Sequence, residues 1–298
     1  MSNSSYKENK KQSKAEVDKG VLYVVATPIG NLADISQRAL DVLAAVDIIA
    51  AEDTRHSGHL LRQYQIKTKS LALHDHNERD RAPDVIKRLS QGKSVALISD
   101  AGTPLVSDPG FHLVRLAHEQ GFKVVPVPGA SAMLAALSAA GLPSDRFVFE
   151  GFLPSKGAAR KKQLEAMSTE SSTLIFYEAP HRVLDTLADM VDVFGTDRYV
   201  VLARELTKTF ETIKGDVVGG LLAWVKNDPD QQKGEIVLLV KGLESGVDAS
   251  SEKEARRILK LLLAELPLSQ ASSLAAKITG TRKKPLYQFG LSLSQQKE

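Results

Sequence analysis

One repeated pattern constrains this chain more than any other: an apolar run of four or five residues, cut short by glycine, proline or a polar cluster, then a segment with helical periodicity. Val95-Ala96-Leu97-Ile98 shows it best, because Ser99-Asp100-Ala101-Gly102-Thr103-Pro104 follows at once. A run too short for a helix and stopped in this way reads as a buried strand feeding a loop. Similar runs are Leu22–Ala26, closed by Thr27-Pro28-Ile29-Gly30-Asn31, and Asp47–Ala51, ending at Glu52-Asp53-Thr54-Arg55-His56. Ser70–Leu73 and Lys123–Val127 complete the set. Between them Ser36 caps a helix with Ala39, Leu40, Leu43 and Ala44 on one face, and Gly58–Tyr64, Pro83–Ser90 and Phe111–Glu119 supply further helices. Strands alternating with helices of about ten residues predict a parallel-rich α/β sheet. Polar clusters fall at the carboxyl ends of its strands, where open α/β sheets hold ligands. The 99–104 loop allows two readings. It is a ligand cradle, with Gly102 admitting close backbone approach and Asp100 orienting the ligand, or it is an ordinary strand-to-helix turn.

Pro126-Val127-Pro128-Gly129 reads as a hinge, after which the alternation restarts. Helices are predicted over Ala130–Ala140, Ala159–Met167, His181–Phe194 and Val217–Val225. Strands are predicted over Phe147–Gly151, Thr173–Tyr177, Tyr199–Ala203, Phe210–Ile213 and Ile236–Lys241. The expected organisation is two consecutive α/β domains, residues 21–128 and 129–243, behind a polar, disordered leader over 1–20. A polar linker (Glu244–Ser251) leads to a small helical module over 252–298. There Ala255, Ile258, Leu259, Leu262 and Leu263 form an apolar stripe, Ser269 caps a second helix ended by Thr279-Gly280, and Lys283–Tyr287 begins a third. A turn between the first two gives the module a helix-turn-helix-like pattern.

The absence of cysteine removes disulfide frameworks and thiolate metal sites. Residues 1–20 have no apolar core of the kind a signal peptide needs, and no stretch reaches the roughly 18 apolar residues of a membrane span. A cytoplasmic location is therefore expected. The formal charge of +3 is unevenly spread: residues 250–298 carry +5, residues 1–20 carry +2 and residues 21–249 carry −4. A basic, compact terminal module suits a nucleic-acid partner, although a charge run can also be a solvated face.

Several motifs exclude chemistry. Gly92-Lys93-Ser94 is no phosphate-binding loop, because the position where its first glycine should stand is Lys87 and the tripeptide precedes its strand. No G-x-G-x-x-G follows the first strand, which removes the dinucleotide fingerprint. His74 and His76 could share a strand face with Glu78 nearby, yet no third ligand stands at a recognisable spacing. A substrate-facing wall and no metal are expected there. Lys156, Arg160, Lys161 and Lys162 place four cations in seven residues, suited to phosphate or to a solvated helix start. Arg204-Glu205 is open between a site and an ion pair.

Eight ordered segments carry a family resemblance: Thr27–Leu32, Ala51–Arg55, Leu73–Glu78, Ser99–Pro104, Val127–Ala132, Gly151–Pro154, Tyr177–Arg182 and Ala203–Glu205. Together they resemble the tetrapyrrole methylase superfamily of S-adenosylmethionine-dependent enzymes, and within it the branch that methylates small-subunit ribosomal RNA. The resemblance implies two α/β domains with a cofactor cleft between them. It implies 2′-O-methylation of the ribose of a decoding-region cytidine in 16S rRNA, on the small ribosomal subunit, by a homodimer. Carried over residue by residue, Gly102, Thr103, Leu105 and Val106 would give backbone contacts to S-adenosylmethionine. Ser131 and Ala132 match the family's small-residue cofactor motif, while Tyr177, Ala203 and the Gly234-Glu235 edge would hold the adenine side. The proton acceptor is sought among Asp53, His76, Glu78, Asp100 and Glu205, and RNA phosphates at Arg55, Lys156, Arg160 and Arg204. Two other readings stay open: the same fold acting on a tetrapyrrole or corrinoid, and a non-catalytic ribosome-binding protein. Thr27-Pro28-Ile29-Gly30-Asn31 replaces the Gly-rich loop of the tetrapyrrole branch, which counts against the first.

Overall fold

The structure, a computed structural model, describes residues 17–243 and 249–295. The first strands and helices are β1 (Val21–Val25), α1 (Gln37–Ala45), β2 (Ile48–Ala51), α2 (Thr54–Gln63), β3 (Ser70–Ala72) and α3 (Glu78–Ser90), followed by β4 (Val95–Ile98), α4 (Phe111–Glu119) and β5 (Lys123–Val127). The strands form one sheet in the order β3-β2-β4-β1-β5, all parallel. Alternation along β1 sends Val21, Tyr23 and Val25 to the face covered by α1, where Ala39, Val42 and Leu43 are buried. Leu22 points the other way, onto Val85 and Leu89 of α3 and Leu113 of α4. Each of these large side chains contributes on the order of 1.5–3 kcal/mol by leaving water. Pro126 sits within β5, an edge strand, where a missing N–H costs least.

The helices differ from expectation where caps act. Ser36 does cap α1, its Oγ accepting from Ala39 N–H at 3.1 Å. Asp53 starts α2 before Gly58 by accepting from Arg55 N–H at 2.7 Å. The third helix begins at Glu78 and runs through Pro83 rather than starting there. The end of the expected disordered leader is tied down: Val17 packs on the first core and Asp18 pairs with Lys123 at 2.8 Å. Residues 1–16 lie outside the described residues, as does most of the polar linker, 244–248.

The chain continues with α5 (Ala132–Ala139), β6 (Phe147–Phe152), α6 (Gly157–Ala166), β7 (Thr173–Glu178), α7 (Val183–Phe194), β8 (Tyr199–Arg204), β9 (Thr212–Val217), α8 (Val218–Asn227) and β10 (Ile236–Val240). Its sheet has the order β6-β7-β10-β8-β9, and only the β6·β7 pair is parallel. One face, including Leu174, Phe176 and Leu238, packs on Leu187 and Met190 of α7 and Leu221 of α8. The other face receives Ala136 and Leu137 of α5 together with Ile29 from the loop after β1. The small residues of α5 let it lie close on that face.

Gly242, Leu243 and residues 249–295 form a second compact unit together with Thr169–Ser171. It contains α9 (Ala249–Leu262), α10 (Leu268–Thr279) and α11 (Lys283–Gln295) around Leu259, Ala271, Ala275 and Leu286. Of the expected stripe, Ala255 and Leu259 are fully buried. Ser269 lies inside α10, because Pro267 is the cap residue, and Gly280 ends that helix in the left-handed conformation. Among the described residues no helix is long and apolar enough to cross a membrane.

Candidate functional site

The loops after β1 and β4 are bonded to each other. Thr27 N–H donates to the Gly102 carbonyl at 2.8 Å, and Gly102 N–H donates back to Thr27 at 3.1 Å. Thr103 Oγ1 donates to the Ala130 carbonyl at 3.1 Å, so the same loop steadies the entry to α5. Gly102 has φ +84°, and a Cβ there would stand 3.4 Å from Ile29, itself a wall of the space beyond. Glycine suits both the left-handed backbone and the close approach.

That space is a cleft of about 330 Å³, walled on one side by Ile29, Asp100, Gly102, Thr103 and Val106 and on the other by Ser131, Ala132, Tyr177, Gly234 and Glu235. The Tyr177 ring is wedged edge-on against Phe149 and Phe152, with centroids 4.9 and 5.6 Å away. Its hydroxyl accepts from Met133 N–H at 3.3 Å, and burial raises its pKa.

Among the described residues, five acidic residues line the same cleft; Glu178 is bonded to Arg182 and Glu235 to Lys208, and the other three are Glu52, Asp100 and Asp108. Asp100 N–H donates to Glu52 Oε2 at 3.2 Å, and Asp53 N–H donates to Asp100 Oδ1 at 3.0 Å. Burial raises the Glu52 pKa, and the charges of Asp100 and Asp75 act in the same direction. Asp108 is pushed up to about 6, foremost by burial and further by Glu52, Asp100 and Asp75, against a hydrogen bond from Ser99. A carboxyl that titrates near neutrality inside a cleft is suited to taking a proton from a substrate. Glu52 and Asp108 escaped the sequence reading. Their only local signal is another acidic residue beside a Gly/Pro stop, as in Ser107-Asp108-Pro109-Gly110.

A model of the family described as Tetrapyrrole (Corrin/Porphyrin) Methylases matches residues 21–221. The chain belongs to that family. A second model, RsmI C-terminal HTH domain, matches residues 249–294. A protein of Pseudomonas aeruginosa named Ribosomal RNA small subunit methyltransferase I is 60% identical over 273 residues, 91% of this chain and 97% of that one. Its namesake from Escherichia coli O157:H7 is 56% identical over 282 residues, 95% of this chain and 98% of the other. Among solved structures, diphthine synthase matches with a TM-score of 0.57 at 17% identity, covering 74% of this chain and 90% of that one. Uroporphyrin-III-C-methyltransferase from Thermus thermophilus matches at 0.54 and 19%, covering 75% and 94%. These two likenesses concern the fold.

In this tetrapyrrole methylase family member, eight of the ten residues expected at a cofactor line the cleft; Leu105 and Ala203 do not. Leu105 has φ +73° and packs toward Gly110 and the core below β4, while Ala203 is fully buried beneath the second sheet's face. Of the five expected proton acceptors, only Asp100 lines the cleft. Glu78 is buried and accepts from Leu113 N–H at 3.0 Å, supplying the cap that Gly110 cannot give α4. Asp53 caps α2 and pairs with Arg55 at 3.0 Å; those hydrogen bonds hold its pKa at about 2, too low for an effective base. His76 is exposed outside the cleft lining. Burial acts to raise Glu205, yet its bonds from Lys208 Nζ and Glu235 N–H, both 2.9 Å, hold it below its usual range. It braces the Gly234-Glu235 edge so closely that a Cβ on Gly234 would fall on its carboxylate.

The expected RNA cations divide. Arg55, whose side chain is 91% exposed, and Lys156 face solvent. Arg160 is buried, its Nε 2.6 Å from Asp189 Oδ2. Arg204 is buried too, donating from Nε to Gln231 Oε1 at 3.1 Å and from Nη2 to the Phe210 carbonyl at 3.0 Å. Neither guanidinium is available to phosphate, and both assignments are corrected to structural roles.

Proposed function

We propose that this chain is an S-adenosylmethionine-dependent methyltransferase that 2′-O-methylates the ribose of a decoding-region cytidine in 16S rRNA. Membership of the methylase family and the names of relatives matched over nearly their whole length, helical module included, support RNA over a tetrapyrrole. The observation that carries the chemical reading is the convergence of Glu52, Asp100 and Asp108 on the Gly102 cleft. A donor bearing sulfonium and ammonium charges fits carboxylate-lined walls, and Gly102, Thr103 and Val106 form the wall it would lie against. Ser131, Ala132, Tyr177, Gly234 and Glu235 would hold its other parts.

Bound there, S-adenosylmethionine supplies an electrophilic methyl group. The chain's tasks are alignment and proton removal. Two loops pinned to each other hold the reacting partners, and such orientation is worth on the order of 7–11 kcal/mol. Asp108 accepts the proton of the ribose hydroxyl, a contribution of about 10²–10⁴-fold for a positioned base. Arg55, Lys156 and the exposed Arg282, Lys283 and Lys284 of the helical module attract phosphate without regard to sequence. The proposal includes a homodimer, which analytical ultracentrifugation tests.

Incubation with radiolabelled donor and unmodified small ribosomal subunits should label a single ribose. Label on a tetrapyrrole and none on subunits would refute the RNA reading. Gly102→Val, forced into a backbone region that costs a side chain about 1–3 kcal/mol and pressed on Ile29, should weaken donor binding at least tenfold by calorimetry. Lys156→Ala with Arg55→Ala should instead raise KM for subunits and flatten its salt dependence, leaving donor affinity within twofold.

A further inference from the structure

Behind the Asp100–Ala101 wall lies a second cavity, of about 270 Å³, which shares Ile29, Asp100, Ala101 and Glu235 with the donor cleft. Its apolar surface comes from Pro28, Ile29, Leu32 and Leu60, and its polar groups include His56, Ser57 and His59 from α2. Ser57 is 3% exposed, and its Oγ has no hydrogen-bond partner. Thr207 Oγ1 is likewise unpartnered, 3.0 Å from where a Cβ on Gly30, another wall residue, would stand. Both oxygens are sealed from solvent, so the groups that meet a ligand in this cavity are the apolar wall and the imidazoles of His56 and His59.

Charge decides what that ligand is. Lys208, the cavity's cation, is already bonded to Glu205 and Glu235 at 2.9 and 3.1 Å, and Asp100 adds negative charge. A phosphate is disfavoured, whereas a flat heterocycle with hydrogen-bonding edges matches apolar walls and imidazole rings. The volume lies near the lower end of small-ligand pockets, about 300–1,000 Å³, enough for one base and too small for a macrocycle. We propose that this cavity receives the pyrimidine base of the nucleotide whose ribose is methylated, held between its apolar walls and the imidazoles of His56 and His59. The proposal rests on the RNA reading above: a base splayed into this cavity would bring its own ribose to the shared wall.

The test uses the full-length protein and cytidine 5′-monophosphate, followed by ligand-observed NMR. Wild type should bind it, and His59→Ala should weaken binding about tenfold. His56→Ala, at an exposed side chain whose removal leaves the core intact, should weaken it as well. Donor affinity should stay within twofold in both variants. No nucleotide binding by wild type, unchanged binding in both variants, or an equal loss of donor affinity overturns the proposal. Methyl transfer by wild type to unmodified subunits reports on the RNA reading separately: its absence defeats that reading, while nucleotide binding still judges the cavity.

Discussion

Asp108→Asn should lower methyl transfer by about 10²–10⁴-fold and make the folded protein more stable at alkaline pH. The two effects share one cause. The Asp108 carboxyl titrates near pH 6 rather than at its ordinary 3.8, because it is buried beside Glu52, Asp100 and Asp75. A carboxyl whose pKa is raised by folding holds its proton more tightly folded than unfolded. Its ionisation therefore removes stability as pH rises from about 4 to about 6, and the loss persists above that window. An amide does not ionise, so the variant should match wild type in unfolding temperature near the acid end and exceed it at pH 8. Transfer by wild type should fall as pH drops through about 6, when Asp108 gains its proton, and the residual activity of the variant should lack that inflection. A variant that keeps full activity, or loses stability at pH 8, would remove Asp108 from the mechanism.

Arg160→Ala should cost about 3 kcal/mol in urea unfolding while leaving RNA affinity of the folded fraction unchanged. Arg160 and Asp189 expose only 5% and 11% of their side chains, and their 2.6 Å contact joins α6 to α7. Losing the guanidinium strands a buried carboxylate, which typically costs about 3–5 kcal/mol. The lower end applies because Lys161 Nζ stays 3.4 Å from the other Asp189 oxygen. Replacing both partners with apolar residues, Arg160→Met with Asp189→Leu, should recover most of the loss, since no charge is then left unpaired. Weaker RNA binding with unaltered stability would reinstate Arg160 as a phosphate contact.

Those two residues also mark where sequence reading stops. Four cations in seven residues look alike on paper, but Lys156 is exposed and Arg160 is buried because its partner is 29 positions away. The carboxylates mislead for the same reason. Glu78 stands in a polar run at a strand end, yet it turns inward to cap a helix 35 residues on, whereas Asp108 gathers three acidic neighbours from separate loops. Ser57 looks like any helix serine until the wall around it is built.

What the linear order did determine is local. Apolar runs of four or five residues cut by Gly, Pro or polar residues define the strands of the first sheet, helical stripes define α1 and α9, and polar clusters at strand ends mark where a ligand would sit. Parallel order within that sheet also follows, because each strand is followed by a helix that must cross back. The second sheet resisted, since β10 inserts between β7 and β8 by antiparallel pairing across 32 to 66 residues, which no local pattern encodes. Protonation state, pairing of charges and unsatisfied hydroxyls were decided only in three dimensions. Each depends on which groups meet after burial has stripped away water, and that is a property of the packed chain.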